Sequence, residues 1–405
     1  RYPNVVANAP FTHMGGYGAL YSTINEANNV LADIGDLQLD LPPEEAQAVR
    51  DKIRGEALFL RGLAYFDLVR IYTYMPGTID GRDREVGGFQ LGVPLRTEPT
   101  RSEPQAIPRE SDQNTIYDRV ISDFQDAETL LDDNAEAPSA PARITSAGVA
   151  GYLSRVHLYL TNWQQAEEAA TRAIGKLGDL GNNPGVVDAR SSDFESAWLA
   201  ATYPGSVFEL QMTAGQDATG GGSALQDLTF FYGSNFAYEV LPSEDVRSIV
   251  DSTDARSSLF ATDPNGNVYL EKYSGTIAIN TDRIPLLRVA ELYLNRAEAR
   301  AQQDEFSGGQ ADLDYIRVRR GLSEIDSEVT GQALIDAILE ERRREFLFEG
   351  KRFFDLKRYA QPIQKATGDP IPYSDGPLAR TRLVLAPIPP GEVQSNPEIV
   401  QNPGY

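Results

Sequence analysis

Apolar residues at spacings of three and four, sustained over much of the chain, most constrain what it can fold into. In the block after "LPPEEA", from about Glu44 to Tyr74, the residues Ala57, Leu60, Ala64, Leu68 and Ile71 fall on one helical face. Similar blocks run from about Tyr17 to Ile34, Asn114 to Leu131, Ser146 to Leu160 and Asn162 to Ile174, with Pro/Gly-rich segments between them. A coil from Met75 to Glu110 interrupts the series. Asn162 follows Leu160 almost at once, and Ala166, Ala169, Ala170 and Ala173 let the next helix lie close to its neighbour. That helix–short turn–helix pattern returns in "PLLRVAELYLNRAEARAQQ" followed by "GGQADLDYIRVRRGL", so degenerate tetratricopeptide-like hairpins are expected as the scaffold.

Between about Asp179 and Asp282 the composition turns to Gly, Ser, Asn, Asp and aromatics, and no helix is expected there. "SVFELQM" alternates like a short strand, and "FATDPNGNVYLEKYSG" reads as a β-hairpin turning at Asn265-Gly266. A long stretch of this kind in a compact domain usually carries function. The fold class is therefore mainly α, with a large irregular region and a few short hairpins.

Charge narrows the possible partners. Lys and Arg number 37 against 59 Asp and Glu, a formal net charge of −22 that repels a phosphate backbone or an anionic leaflet. No unbroken apolar run approaches the about 18 residues of a membrane span. Cysteine is absent, which excludes disulfides, thiolate nucleophiles and Cys-ligated zinc from these 405 residues. The start at Arg1 fits a processed or trimmed secreted protein, and a cytosolic fragment would look the same.

Enzyme signatures are thin. Neither a nucleophile elbow nor a phosphate-binding loop occurs, and the two histidines, His13 and His157, cannot form a zincin site. His157 sits in "GYLSRVHLYL", where a packed histidine is expected. "DPNGN" lacks the downstream bidentate Glu of a calcium loop and reads as a tight turn; no metal or cofactor is expected. Glu340, Glu341 and Glu345 flank Arg342, Arg343 and Arg344, with Glu340 and Arg344 at i,i+4, a pattern for ion pairs that anchor a network. A glycoside hydrolase with a carboxylate pair hidden among the many acids stays open, as does a tetratricopeptide adaptor for a peptide or protein.

The surviving constellation is aromatic. Phe11, His13 and Tyr17 precede or open the first helix, and Trp198, Tyr203, Phe230, Phe231, Tyr232, Phe236 and Tyr238 crowd the central region beside Asn235. Sugar rings present C–H faces that stack on aromatic planes while amides and carboxylates bond the hydroxyls. Each of these rings has two readings, a loop anchor or part of a sugar platform.

"ILEERRREFLFEGKRFFDLKRYA" at Ile338 to Ala360 resembles the C-terminal signature of the SusD/RagB family, and it reads as one long amphipathic helix. "IPLLRVAELYLNRAEARAQ" from Ile284 resembles that family's preceding helix, and "LAPIPPGEVQSNPEIVQNPGY" its terminus. "YGALYSTINEANNVLADI", "RGEALFLRGLAYFDLVRIY" and "GVPLRTEP" fall in the family's order, so the resemblance covers Phe11 to Tyr405. It implies one SusD-like domain over 1–405, with halves of about 1–200 and 205–405 packed together. It further implies a lipoprotein on the outer face of a Gram-negative outer membrane, its anchoring Cys upstream of Arg1. Its partners would be an oligo- or polysaccharide, bound without cleavage, and a SusC-like TonB-dependent transporter; some relatives serve peptide instead.

Overall fold

The computed structural model describes residues 16–76, 90–102, 106–131, 141–179, 185–190, 193–200, 202–211, 228, 232, 240–274, 282–361, 385–403 and 405. Five helices open the chain: α1 (Tyr17–Asp33), α2 (Pro43–Tyr72), α3 (Asn114–Leu130), α4 (Ser146–Tyr159) and α5 (Trp163–Asp179). Their starts follow from local chemistry. Pro43 enters α2 at a position whose N–H has no intrahelical partner, and Glu44 and Glu45 complement the dipole behind it. Thr145 Oγ1 caps α4 by accepting from the Gly148 N–H at 3.2 Å.

Close approach decides how these helices pair. At Gly62 an added Cβ would lie 2.7 Å from the Phe124 ring, so only a hydrogen lets α2 settle on α3 there. Ala166, Ala169, Ala170 and Ala173 are buried where α5 meets α4, as their small size suggested. Leu60 departs from the expected stripe: it is 43% exposed, while Phe59, Tyr65, Phe66 and Leu68 face inward. One apolar cluster runs from Tyr17 on α1 to Ile399 near the end of the chain.

The irregular region contains more helix than its composition suggested. Short helices α6 (Phe194–Leu199) and α7 (Glu244–Ser248) form there, α6 behind Asp193, whose carboxylate accepts the Glu195 N–H at 3.0 Å. Strand β1 (Ser206–Leu210) is covered on both faces through Phe208 and Glu209 rather than alternating. β2 (Phe260–Thr262) and β3 (Val268–Leu270) make the expected hairpin. Its turn holds Gly266 at φ 86°, with Asp263 accepting the Asn265 and Asn267 N–H groups at 2.8 Å each.

Two expectations in the closing third are corrected. Ile284–Arg288 is a strand, β4, antiparallel to β1, and α8 (Val289–Gln302) begins after it. Pro285 disfavours helix at its predecessor, and the buried backbone of β1 needs a ladder partner. Helix α9 (Phe306–Arg319) then folds back on α8. The signature segment is two helices, not one: α10 (Gly331–Glu345) and α11 (Arg352–Arg358). Phe348 at φ 60° and Gly350 at φ 71° break it in the left-handed region where helices end. Helix α12 (Pro390–Ser395) completes the chain.

The break exposes carboxylates to a dense set of buried cations. Glu345 binds Arg288 and Arg320 at 2.8 Å each and Arg256 at 3.2 Å. Glu349 takes Lys272 at 2.7 Å and Arg288 at 2.8 Å, while Asp355 takes Arg342 at 3.2 Å and Arg358 at 3.0 Å. Burial pushes the Glu345 carboxyl up, but Arg320, Arg288 and Arg256 more than reverse this and hold it well below the usual carboxylate range. Glu340 and Arg344, the pair visible in sequence, are 4.0 Å apart and partly solvated.

Candidate functional site

Of the residues singled out from sequence, Phe11, His13, Phe230, Phe231, Asn235, Phe236 and Tyr238 lie outside the described residues. Trp198 and Tyr203 are interior. They are 3% and 1% exposed, their ring centroids 4.5 Å apart, with the Lys272 ammonium 4.4 Å from the Trp198 ring centre. With Phe194, Leu259 and Leu270 they form a second small core under the β2–β3 hairpin. A ring covered on this scale offers a sugar no face, so both hold the loops down. Tyr17, 2% exposed, is covered to the same degree although it borders a cleft, and the half-buried Tyr232 lines a different cavity.

Tyr17 borders a cleft of ≈ 550 Å³ between the first turns of α1, the segments 94–100 and 106–107, and α12. α1 contributes Tyr17, Tyr21, Asn25 and Asn28, about one helical turn apart and so on one face. The amides work partly as struts. Asn25 Oδ1 accepts the Thr100 N–H at 2.6 Å, and Asn28 Nδ2 donates to the carbonyls of Arg96 at 3.1 Å and Glu98 at 3.2 Å. Tyr21 donates its hydroxyl to the Pro94 carbonyl at 2.7 Å, which fixes a half-buried ring along the wall. Ile24, Ile107 and Ile399 give the cleft apolar surface, while Ser22, Thr100, Glu392 and Ser395 supply hydroxyls and a carboxylate.

An aromatic face at Tyr21, an apolar floor and convergent hydroxyl, amide and carboxylate groups are what a saccharide of a few rings needs. Tyr21, Asn25, Glu392 and Ser395 were not singled out from sequence. The signal for the first two was present: Tyr17, Tyr21, Asn25 and Asn28 repeat at three and four in "YGALYSTINEANN". Nothing near Glu392 could reveal that α12 lines the same cleft as α1.

Tyr232 borders the other cavity, ≈ 330 Å³, walled by α2, α4, β4 and the α10–α11 break. Its half-buried ring meets Phe348 edge-on at 4.8 Å and Tyr273 at 6.0 Å. No group of three or more His, Asp or Glu side chains is placed to hold a metal ion among the described residues.

Two family models match the chain: "SusD family" over residues 230–405, and "Starch-binding associating with outer membrane" over residues 4–158. The chain belongs to the SusD/RagB family. SusD-like protein P2 of Formosa agariphila is 27% identical across 95% of this chain and 79% of its own length. The starch-binding protein SusD of Bacteroides thetaiotaomicron is 36% identical over 129 residues, 30% of this chain and 21% of that one. A solved SusD superfamily protein from Bacteroides thetaiotaomicron superposes with a TM-score of 0.79 at 26% identity, covering 96% of this chain and 85% of its own. The helical scaffold described above is thus the SusD fold, and the α1–α12 cleft joins two stretches covered by different family models.

Proposed function

We propose that this SusD-family chain captures an oligo- or polysaccharide at the outer-membrane surface, without cleaving it, and passes it to a SusC-like TonB-dependent transporter. Its tether in this reading is an N-terminal lipid anchor. The observation that carries the binding step is the α1–α12 cleft, where the half-buried Tyr21 stands over an apolar floor beside Asn25, Glu392 and Ser395. The family descriptors "SusD family" and "Starch-binding associating with outer membrane" support the same class of ligand and the same location.

The carboxylates favour capture over hydrolysis. Glycosidases in most families place two carboxyl groups on either side of the scissile bond. Among the described residues, Glu392 is the one carboxylate lining the cleft. Those facing the second cavity, Asp67, Glu291 and Glu349, are each paired with Arg or Lys.

Titration calorimetry of a polysaccharide panel, with starch and laminarin among its neutral members, tests this reading alongside a reducing-end assay on the same mixtures. Saturable heat with no released ends supports capture. Released ends would establish a hydrolase, and no heat with any polymer would remove the glycan reading.

A further inference from the structure

The ≈ 330 Å³ cavity has a charge balance opposite to that of the rest of the molecule. Among the described residues four cations line it, Arg70, Arg155, Arg342 and Lys351, against the carboxylates of Asp67, Glu291 and Glu349. Some of these are already satisfied from behind: Arg342 by Asp355, and Glu349 by Arg288 and Lys272. What faces the cavity is then one Arg70–Asp67 pair, together with two cations sharing a single carboxylate. Glu291 accepts from Arg155 at 2.6 Å and from Lys351 at 2.8 Å, and both also lean on the Leu286 carbonyl, at 2.8 and 3.2 Å.

Arg70 is held flat over Phe66 and Phe354, its guanidinium carbon 4.6 and 4.3 Å from their ring centres. Its buried Nε has no hydrogen-bond partner among the described residues. Burial, and next the charge of Arg155, push the Lys351 ammonium down to about 8. Burial also lowers Arg70 and Arg155, but Asp67 and Glu291 more than reverse this and hold those guanidiniums above their usual value, so Lys351 is the least compensated of the three. A buried excess of positive charge with an idle donor is costly until an anion arrives.

We propose that this cavity takes an oxyanion group, a sulfate or a carboxylate, between Arg70, Arg155 and Lys351. The Nε/Nη2 edge of Arg155 is already bidentate on Glu291, so the idle Nε of Arg70 and the Lys351 ammonium would supply the main charge-assisted contacts, each strengthened by partial enclosure. On a chain of net charge −22 this is a local reversal of sign, able to select an acidic substituent that the outer surface would repel.

Titration calorimetry of the whole chain with sodium sulfate and with sodium glucuronate, at ionic strength fixed with sodium chloride, tests it. One saturable site for either anion is expected, weakened at least about tenfold in Arg70→Gln. Asp67→Asn removes the carboxylate that competes for Arg70, so it should bind the anion several-fold more tightly, a gain that damage to the fold would not produce. No saturable uptake of either anion, or weaker uptake by Asp67→Asn, would overturn the site.

A glucuronate-bearing oligosaccharide compared with its carboxyl-reduced counterpart separates the sources. Preference for the acidic form, lost in Arg70→Gln, assigns the site to a glycan substituent, and uptake of the salts without that preference assigns it to a free anion. The oligosaccharide arm rests on the glycan-capture reading and the salt arm does not, so the two fail separately.

Discussion

Replacing Glu345 with Gln isolates what the charged signature of the closing third contributes. Its carboxylate is almost wholly buried and serves Arg256, Arg288 and Arg320 together. Glutamine keeps the shape and one acceptor oxygen but removes the charge. Arg288 would retain Glu349, and Arg256 would retain Asp254 at 2.6 Å and Glu341 at 2.7 Å. Arg320 would keep the Val187 carbonyl but no carboxylate among the described residues. An uncompensated buried charge of this kind costs about 3–5 kcal/mol. Glu340→Gln is the control, because its 4.0 Å contact to Arg344 is partly solvated and such pairs contribute about 0–1 kcal/mol. Urea unfolding followed by circular dichroism should show a large fall in midpoint at unchanged slope for Glu345→Gln and almost none for Glu340→Gln. A change below about 1 kcal/mol for Glu345→Gln would refute the idea that this carboxylate balances the buried arginines.

Three further substitutions probe other parts of the account. Gly62→Ala puts a methyl group 2.7 Å from the Phe124 ring and should cost about 1–3 kcal/mol in the same urea assay. Trp198→Ala should lose about 3–5 kcal/mol of stability while leaving the affinity of the folded protein for polysaccharide unchanged, as measured by calorimetry well below its melting temperature. His157 is pushed down to about 4 by burial and then by Arg172, so between pH 6.5 and 4 the unfolded chain binds more protons than the native one. Its contribution is present above pH 6.5 and is lost as pH falls through that window; His157→Gln should therefore flatten the melting temperature against pH from 6.5 to 5, and parallel curves would contradict the assignment.

The helices were legible wherever an apolar stripe met a distinct start or stop. α1 to α5 sit close to where periodicity placed them, because Pro43, Thr145 and the tight turn before Trp163 punctuate the pattern. β4 was read as helix because "IPLLR" is a short apolar run that periodicity cannot assign, and its partner β1 lies 74 or more residues earlier in the chain. The α10–α11 break was missed because Glu345 and Glu349 keep a helical spacing across it, although Gly350 marked the stop.

Charge pairing was legible in kind and not in detail. The sequence showed Glu340 with Arg344, whereas Glu345 reaches arginines 25, 57 and 89 positions away. The aromatic reading divided for a similar reason. Composition cannot tell that Trp198 and Tyr17 are both covered while Tyr21, one helical turn on, stays half-buried along a cleft. The cleft itself depends on α12 and α1 lining one space, a long-range arrangement that no local pattern encodes.

The most direct test of glycan capture is calorimetric titration of the polysaccharide panel into the native chain, Tyr21→Ala and Tyr21→Phe, with reducing ends counted after each run. The account predicts saturable binding of at least one polymer with no new reducing ends. It also predicts a loss of about tenfold or more in Tyr21→Ala and a smaller one in Tyr21→Phe, which keeps the ring. Binding unaffected by Tyr21→Ala would move the site away from the α1–α12 cleft, and binding to no polymer at all would contradict the account.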